Sequence, residues 1–395
     1  MYVIYVLLVL LFILVIYGVV EYFLHQRRVY SIPIRIHVNG TRGKSSVTRL
    51  IGAALSEAGI RTITKVTGTY PRLILEDGTE ADIYRKTSAN IIEQLSIVKL
   101  AAGRKTEALV VECMALQPQY QEITEKKMIH ATIGVITNVR LDHVEIMGYS
   151  LEEIASAVAK TLPALAYCFT SEKQMFPILK KSADAKKTTL IPTLADTVTD
   201  SEMKGFKYIE HKENVALALA VCSHLSISRE TALRGMYKAN PDAGVLQVYS
   251  LLTENKIINF YNAFAANDPQ STMLILSRIK SEGKFKGNII VLLNTREDRL
   301  DRARQLSVMT GWNLSDALHY LILIGQATGM VESLCVQSGV PGKRILNLGW
   351  TDPQNVYNAI ISCTDKESTV LAIGNMGGMG ARVAEMFEQR SFIYD

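Results

Sequence analysis

A glycine-containing loop followed by lysine and serine is the stretch of this chain best suited to chemistry. The alternating apolar residues at 34–38 predict a strand, and the apolar spacing after Lys44 predicts a helix. Gly40 and Gly43 lie between them. In such a loop, backbone N–H groups and the helix N-terminus face the phosphates of a nucleoside triphosphate, while lysine adds positive charge and the Ser45 hydroxyl reaches Mg²⁺. We therefore predict phosphate binding by Gly40, Thr41, Arg42, Gly43, Lys44, Ser45 and Ser46.

One position departs from the usual form of this loop. The usual pattern has a glycine where this chain has Val38. An ordinary glycine turn before a helix is therefore the alternative. Because a predicted strand and a predicted helix both flank the loop, we favour phosphate binding.

Polar side chains follow the next predicted strands. Two short, continuously apolar runs predict buried strands of a parallel sheet; the first ends at Glu112, and Asn138, Asp142 and His143 follow the second. Because ligands collect at the carboxyl ends of parallel strands, we expect these side chains to lie beside the glycine loop. A carboxylate and an imidazole beside a triphosphate would suit Mg²⁺, which takes few protein ligands in addition to phosphate oxygens. Taken singly, Glu112 has the alternative of a capped strand end, and His143 that of a structural histidine.

Strands alternate with helical patterns along most of the chain, which predicts parallel βαβ units and an α/β fold. A turn-rich joint at 240–244 is the expected domain boundary. We predict a P-loop-type parallel-sheet ATPase domain at 31–240 and a smaller Rossmann-like α/β domain at 245–395.

The N-terminal residues predict a membrane anchor. Residues 1–20 carry no charge, and a helix of that length matches the roughly 30 Å hydrocarbon core of a bilayer. Arg27 and Arg28 follow this segment and no basic residue precedes it, which places the C-terminal side in the cytoplasm. A buried core helix is one alternative; a cleaved signal peptide is another, but neither its basic n-region nor its small-residue cleavage site is visible. We predict an uncleaved transmembrane helix at 1–24 and a short hinge at 31–33.

Composition narrows the class of protein. The formal net charge is +5 and no dense run of lysine or arginine occurs, so nucleic-acid binding has little support. The five cysteines are scattered without CxxC spacing, which favours reduced thiols and argues against structural zinc.

The loop and the strand-end residues together resemble the Mur ligase superfamily, which includes the folylpolyglutamate synthases. The sequence GTRGKSS at 40–46 is similar to the family's phosphate loop. In that family the residue at the position of Val38 need not be glycine. Glu112 resembles the family's metal-binding glutamate, and TNVRLDHVEIMG at 137–148 is similar to a second family block. Asn214 resembles an asparagine that lies against adenine.

This resemblance implies an ATP-dependent amide ligase that uses Mg²⁺. The implied catalytic residues are Lys44, Glu112, Asn138 and His143. The implied metal ligands are Ser45, Glu112 and His143. The implied nucleotide-binding residues are the loop residues 40–46 and Asn214. Members of the superfamily often use a carbamylated lysine as a further metal ligand, and the sequence does not identify one.

A narrower group of the superfamily, the ligase subunits of poly-γ-glutamate synthases, resembles nearly the whole chain. Its members similarly have an N-terminal membrane segment, and the blocks ECMA at 112–115, AFAAND at 263–268 and GN at 374–375 match. The implied activity is an acid–amino-acid ligation that polymerises glutamate into poly-γ-glutamate through an acyl phosphate, at the cytoplasmic face of the membrane. The implied partners are glutamate, the growing polymer and other membrane subunits of a synthase and export complex for capsule; a homo-oligomer is compatible with these, and nucleic acid is not expected.

Some positions depart from the family pattern. Gln247 stands where members often carry an arginine, and Asn262 stands where many carry a ribose-binding aspartate. Arg296, Arg299 and Arg302 suit either a solvated charged surface or the recognition of an anionic group. Two other functions remain open, namely a membrane-anchored P-loop NTPase without ligase activity and a folylpolyglutamate- or Mur-type ligase.

Overall fold

The computed structural model divides the chain into two compact units, Met1–Asp242 and Ala243–Asp395. Each unit is an α/β structure around a mainly parallel sheet, and the predicted α/β class is confirmed. The described residues are 2–67, 71–83, 85, 89–206, 208, 210–241, 246–265, 268–281 and 283–391. Residues 242–244 of the predicted joint and residues 266 and 267 of the AFAAND block lie outside the described residues.

The first unit holds the following elements. Its strands are β1 (Ile34–Asn39), β2 (Thr62–Val66), β3 (Arg72–Ile74), β4 (Glu80–Asp82), β5 (Ala108–Glu112), β6 (Ile133–Ile136), β7 (Tyr167–Thr170) and β8 (Thr189–Pro192). Its helices are α1 (Tyr2–Tyr30), α2 (Lys44–Glu57), α3 (Glu93–Gly103), α4 (Pro118–Ile123), α5 (Val144–Met147), α6 (Leu151–Val158), α7 (Phe176–Ala185), α8 (Asp200–Met203), α9 (Lys212–His224) and α10 (Arg229–Lys238). A π-helical segment, Thr124–Ile129, continues α4.

β1 lies inside the first sheet, between β5 and β6. In the described residues the strand order is β4-β3-β2-β5-β1-β6-β7-β8; β3 is antiparallel to β2 and β4, and the other neighbours are parallel. The register pairs Val38 with Glu112 and Asn39 with Ile136. The carboxyl ends of these strands therefore meet at one edge of the sheet, where parallel sheets bind their ligands.

Alternate residues of β1 face opposite sides of the sheet. Ile36 and Val38 are buried in a core with Val47, Leu50 and other apolar residues of α2. The spacing of these α2 residues gives the helix one apolar face, which packs on the sheet. Because Val38 is fully buried in this core, the strand continues to Asn39 before the loop begins.

The N-terminal helix α1 is long and apolar enough to cross a membrane by length and composition. Residues 2–24 are all exposed, and Glu21 is their single charged residue. The helix continues beyond this apolar part to Tyr30, so the predicted anchor is the exposed portion of a longer helix.

The predicted hinge at 31–33 is wrong. Val29 and Ile32 are fully buried in a core with residues of α3, β5 and the π-helical segment. The chain after the apolar segment is therefore packed onto the first unit and does not form a free tether, because two branched apolar side chains gain more from burial than from exposure.

The second unit holds a second sheet. Its strands are β9 (Gln247–Thr253), β10 (Lys256–Asn262), β11 (Asn288–Thr295), β12 (Tyr320–Gly325), β13 (Ile345–Gly349) and β14 (Glu367–Gly374). Its helices are α11 (Pro269–Ser281), α12 (Leu300–Met309), α13 (Thr328–Gln337), α14 (Pro353–Ser362) and α15 (Met379–Arg390). In the described residues the order is β13-β12-β11-β14-β10-β9.

β9 pairs antiparallel with β10, whereas the other neighbouring strands of this sheet are parallel in the described residues. Only Glu254 and Asn255 connect the two strands, with φ values of 49° and 60°. Two residues with positive φ form a tight hairpin, and such a connection is too short for a parallel crossover.

Candidate active site

The glycine loop joins the end of β1 to the start of α2. The residue that precedes α2 is Gly43, which has no side chain to accept hydrogen bonds from the first-turn N–H groups. Those groups are therefore suited to an anion. Lys44 Nζ donates hydrogen bonds to the carbonyl oxygens of Gly40 and Thr41 at 2.8 and 3.3 Å, so its ammonium group lies over the loop.

Close packing requires both glycines of the loop. Gly40 has φ 131°, and a Cβ atom there would overlap Thr137 Oγ1 at the end of β6. Gly43 has φ 80°, and a Cβ atom there would lie 2.7 Å from Asn214 Oδ1. Asn214 of α9 thus lies beside the start of α2, where its Nδ2 donates to Glu210 Oε1 at 2.8 Å.

Ser45 and Glu112 form a buried pair of oxygen groups at the strand edge. Ser45 Oγ donates to Glu112 Oε2 at 3.0 Å, and the same carboxylate oxygen accepts the Thr67 backbone N–H at 2.6 Å. The neighbouring Ser46 is half-buried in the same first turn of α2.

The donor set here fits a hard divalent cation. Within the described ranges, no group of three or more His, Cys, Asp or Glu side chains is arranged to hold a metal ion. A hydroxyl and a carboxylate are nevertheless the oxygen donors that Mg²⁺ prefers, and Mg²⁺ commonly takes its other ligands from substrate phosphates and water. Ser45 and Glu112 therefore suit a cation that arrives with a nucleotide.

Asn138 holds the backbone of the glycine loop. Its Oδ1 accepts hydrogen bonds from the Thr41 hydroxyl at 2.8 Å and the Arg42 N–H at 3.1 Å, and its Nδ2 donates to the Arg42 carbonyl at 3.1 Å. Its own carbonyl accepts the Thr41 N–H at 3.0 Å. This asparagine fixes the loop to the end of β6 from both its side chain and its backbone.

His143 lies among charged groups after β6. Its Nε2 is 4.0 Å from Asp142 Oδ1, and its Nδ1 is 3.7 Å from Glu145 Oε1. Arg42 Nη2 of the loop lies 3.6 Å from the same Asp142 oxygen. The contact between Arg42 and Asp142 links the loop to the segment that carries His143.

A small pocket opens beside the loop. Its walls come from the loop, from the segment after β5 and from the segment after β6, through residues Asn39, Gly40, Thr41, Lys44, Cys113, Ala115, Leu116, Gln121, Asp142, His143 and Met147. The structure thus brings the loop and His143 together at one pocket. Glu112 and Asn138 do not line this pocket but make hydrogen bonds to residues of the loop and of the first turn of α2.

Two buried polar pairs join β1 to α4 and the π-helical segment, and the sequence did not indicate them. Asn39 Nδ2 donates to Gln121 Oε1 at 2.8 Å, and His37 Nδ1 lies 2.8 Å from Glu125 Oε2. Burial lowers the pKa of His37, but its neighbours Cys113 and Glu125 raise it more, to a net value of about 9. The pattern of polar residues after position 116 does not distinguish these buried side chains from solvent-exposed ones.

The arginines considered for anion recognition lie in the second unit. Arg296 makes two hydrogen bonds with Asp298, at 2.9 and 2.8 Å, and Arg299 Nε lies 4.0 Å from the same carboxylate. Arg302 follows in α12. Pairing with an acidic neighbour favours a solvated charged surface over the recognition of an anionic ligand.

The two departures from the family pattern also lie in the second unit. Gln247 Oε1 accepts the Tyr249 hydroxyl at 2.5 Å. Asn262 is buried at the end of β10, and its Oδ1 has no hydrogen-bond partner in the described part of the chain.

Comparisons with known proteins agree with this architecture. The model "Mur ligase middle domain" matches residues 38–240, and "Poly-gamma-glutamate synthase CapB C-terminal domain" matches residues 248–390. The Bacillus anthracis capsule biosynthesis protein CapB is 38% identical over 94% of this chain and 80% of its own length. The PGA synthase CapB of Bacillus subtilis (strain 168) is 33% identical over 95% of this chain and 96% of its own.

A solved structure shares the fold. A bifunctional folylpolyglutamate synthase/dihydrofolate synthase with Mn, AMPPNP and L-glutamate bound matches with a TM-score of 0.67 and 15% identity, over 92% of this chain and 91% of that chain.

The fold, the glycine loop and the middle-domain match define an ATP-dependent amide ligase of the Mur ligase class. Both relatives exceed 30% identity over nearly the whole chain. The chain belongs to the CapB family of poly-γ-glutamate synthases.

Proposed function

We propose that the pocket beside the glycine loop is the active site at which this ligase joins glutamate units into poly-γ-glutamate. The observation that carries the proposal is the meeting of the loop, the Ser45–Glu112 pair and Asn138 at one edge of the first sheet. The relatives are named as capsule and PGA synthase proteins, and the solved folylpolyglutamate synthase/dihydrofolate synthase structure holds a nucleotide analogue, manganese and L-glutamate. These names support a nucleotide, a divalent metal and glutamate as ligands here.

The reaction has two steps. A carboxylate attacks the γ-phosphate of ATP, which gives an acyl phosphate and ADP. The amine of an incoming glutamate then attacks the acyl carbon, phosphate leaves, and an amide bond remains. Such chemistry depends on positioning and charge neutralisation more than on a protein nucleophile.

Each site residue has a proposed role. Lys44 exchanges its contacts with the loop carbonyls for the β- and γ-phosphates, which the loop N–H groups also hold. Asn138 keeps the loop in place beside the transferred phosphoryl group, and Asn214 of α9 contacts the nucleotide beside the start of α2. Ser45 and Glu112 would hold Mg²⁺, with His143 near a second metal, and the cation would neutralise developing charge on the phosphates.

The proposed location is the cytoplasmic face of the membrane, where other membrane subunits would receive the polymer. The exposed apolar part of α1 has the length of a membrane span, and Arg27 and Arg28 follow it. Alkaline extraction of cell membranes tests this location, because an inserted helix stays in the membrane pellet.

The test of the activity uses membranes that contain the protein, with and without its neighbouring subunits, supplied with ATP, Mg²⁺ and labelled glutamate. Lys44→Ala should abolish glutamate-dependent ADP release and labelled polymer. Lys181→Ala, at an exposed lysine of α7, is the matched control and should change neither. Near-normal polymer from Lys44→Ala would refute the proposal. ATP hydrolysis that does not depend on added glutamate would indicate an NTPase without ligase activity. Extension of tetrahydrofolate or of a muramyl peptide would indicate a folylpolyglutamate- or Mur-type ligase.

A further inference from the structure

Basic residues from two distant parts of the sequence lie on two segments that contact each other after the exposed apolar part of α1. Arg27 and Arg28 lie in the last turns of α1, and Lys127 lies in the π-helical segment. Gln26 Nε2 donates to the Lys127 carbonyl at 3.4 Å, and His25 Nε2 lies 3.0 Å from the carbonyl oxygen of the next residue, Met128. These contacts fix Lys127 beside the helix.

Within the described ranges, these three charges are not paired with a carboxylate. Lys126, their neighbour, pairs with Glu122 at 2.5 Å. Among the described residues, Arg27, Arg28 and Lys127 form no ion pair with a carboxylate. Glu21 is the acidic residue of α1, and it precedes Arg27 by about 9 Å along the helix axis.

We propose that Arg27, Arg28 and Lys127 form a binding surface for the headgroups of anionic phospholipids. The exposed apolar part of α1 ends directly before them, so insertion of that part places the three cations at the depth of the headgroups. A basic residue near an anionic membrane surface is attracted to it, and the attraction of several residues adds up. The inference rests on the proposed insertion of α1.

The surface is tied to the part of the fold that carries the glycine loop. The π-helical segment that holds Lys127 also holds Glu125, whose Oε2 lies 2.8 Å from His37 Nδ1 in β1. His25 and Val29 are buried, and the contacts of His25 and Gln26 hold the end of α1 against this segment.

The experiment measures lipid preference on the full-length protein. Detergent-solubilised protein is mixed with equal amounts of phosphatidylglycerol and phosphatidylcholine, and native mass spectrometry counts the lipids that remain bound. Wild type should retain phosphatidylglycerol preferentially, and salt should weaken that preference. Each cation near an anionic surface should strengthen the preference for phosphatidylglycerol roughly fivefold. The triple variant Arg27→Gln/Arg28→Gln/Lys127→Gln should therefore lower this preference roughly 100-fold. The control, Lys181→Gln/Lys187→Gln/Lys204→Gln, changes three exposed lysines elsewhere in the first unit and should keep the preference.

Further arms separate the explanations. Lys127→Gln alone should lower the preference about fivefold; no effect would overturn a surface that spans both segments. Competition by inorganic phosphate at equal concentration would mean a free-phosphate site and would also overturn the inference. Alkaline extraction scores insertion of α1 separately, so an inserted protein without lipid preference overturns this surface and leaves the proposed anchor intact.

Discussion

Ser45 Oγ and Glu112 Oε2 lie 3.0 Å apart and join the first turn of α2 to the end of β5. The register of β1 with β5 brings this about, because it places Glu112 level with Val38, two residues before Gly40. Both groups are buried, so the carboxylate charge is balanced by donors rather than by water. A metal that binds here would exchange the serine contact for its own.

The charge of Glu112 should be required for activity. Glu112→Gln keeps a side chain of the same shape but removes the anionic metal ligand. We expect glutamate-dependent ADP formation to fall by about 100-fold or more, since even outer-shell partners of a metal contribute about 10–100-fold. Titration with Mg²⁺ should show a raised requirement. Glu107→Gln, at the exposed start of the same strand, is the control. Unchanged Mg²⁺ dependence in Glu112→Gln would remove this residue from the metal site.

Gly43 and Gly59 allow a matched comparison, because Gly43 precedes α2 and Gly59 follows it, with φ values of 80° and 81°. A Cβ atom at Gly43 would lie 2.7 Å from Asn214 Oδ1, whereas nothing lies within 4 Å at Gly59. Gly59→Ala should therefore cost about 1–2 kcal/mol of unfolding free energy and leave the KM for ATP unchanged. Gly43→Ala should lose the same stability and also displace Asn214. A normal KM for ATP in Gly43→Ala would show that Asn214 does not contact the nucleotide.

The sequence was informative where a local rule applies. The loop, Glu112 and Asn138 each stand at the end of an apolar run, and parallel strands bring such ends to one edge. It was uninformative where distant segments meet, as in the contact of His37 with Glu125. The periodicity of a strand or a helix does not indicate which distant residue a buried polar side chain will contact.

Tertiary packing explains why the predicted hinge is wrong. Ile32 stands in a short segment with a proline, which predicts a hinge, but burial against α3 and the π-helical segment overrides that local pattern.

His37 should make stability depend on pH. Its pKa is raised from 6.5 to about 9 in the folded chain, so its stabilising contribution is fully present below pH 6.5 and is lost as the pH rises through 9. The unfolding free energy of the detergent-solubilised protein should therefore fall between pH 6.5 and pH 9, by roughly 3 kcal/mol at most. Urea unfolding at several pH values measures this. His37→Gln removes the titrating group and should flatten the profile; an equally steep profile in that variant would assign the effect to other groups.

The end of α1 should be part of the folded first unit. A chain that lacks residues 2–24 keeps His25, Val29 and Ile32, all of which are buried. A chain that lacks residues 2–33 exposes the surfaces that cover them. Burial of a branched apolar side chain is worth about 1.5–3 kcal/mol, so the longer deletion should lower the Tm by roughly 6 °C or more relative to the shorter one. Differential scanning fluorimetry compares the two.

Point variants in the chain that lacks residues 2–24 provide the control. Val29→Ala should lower the Tm by a smaller amount than the longer deletion, and Tyr30→Ala, at an exposed neighbour, should lower it less than Val29→Ala. Equal Tm values for the two deletions would mean that the helix end is a tether, as residues 31–33 alone suggest.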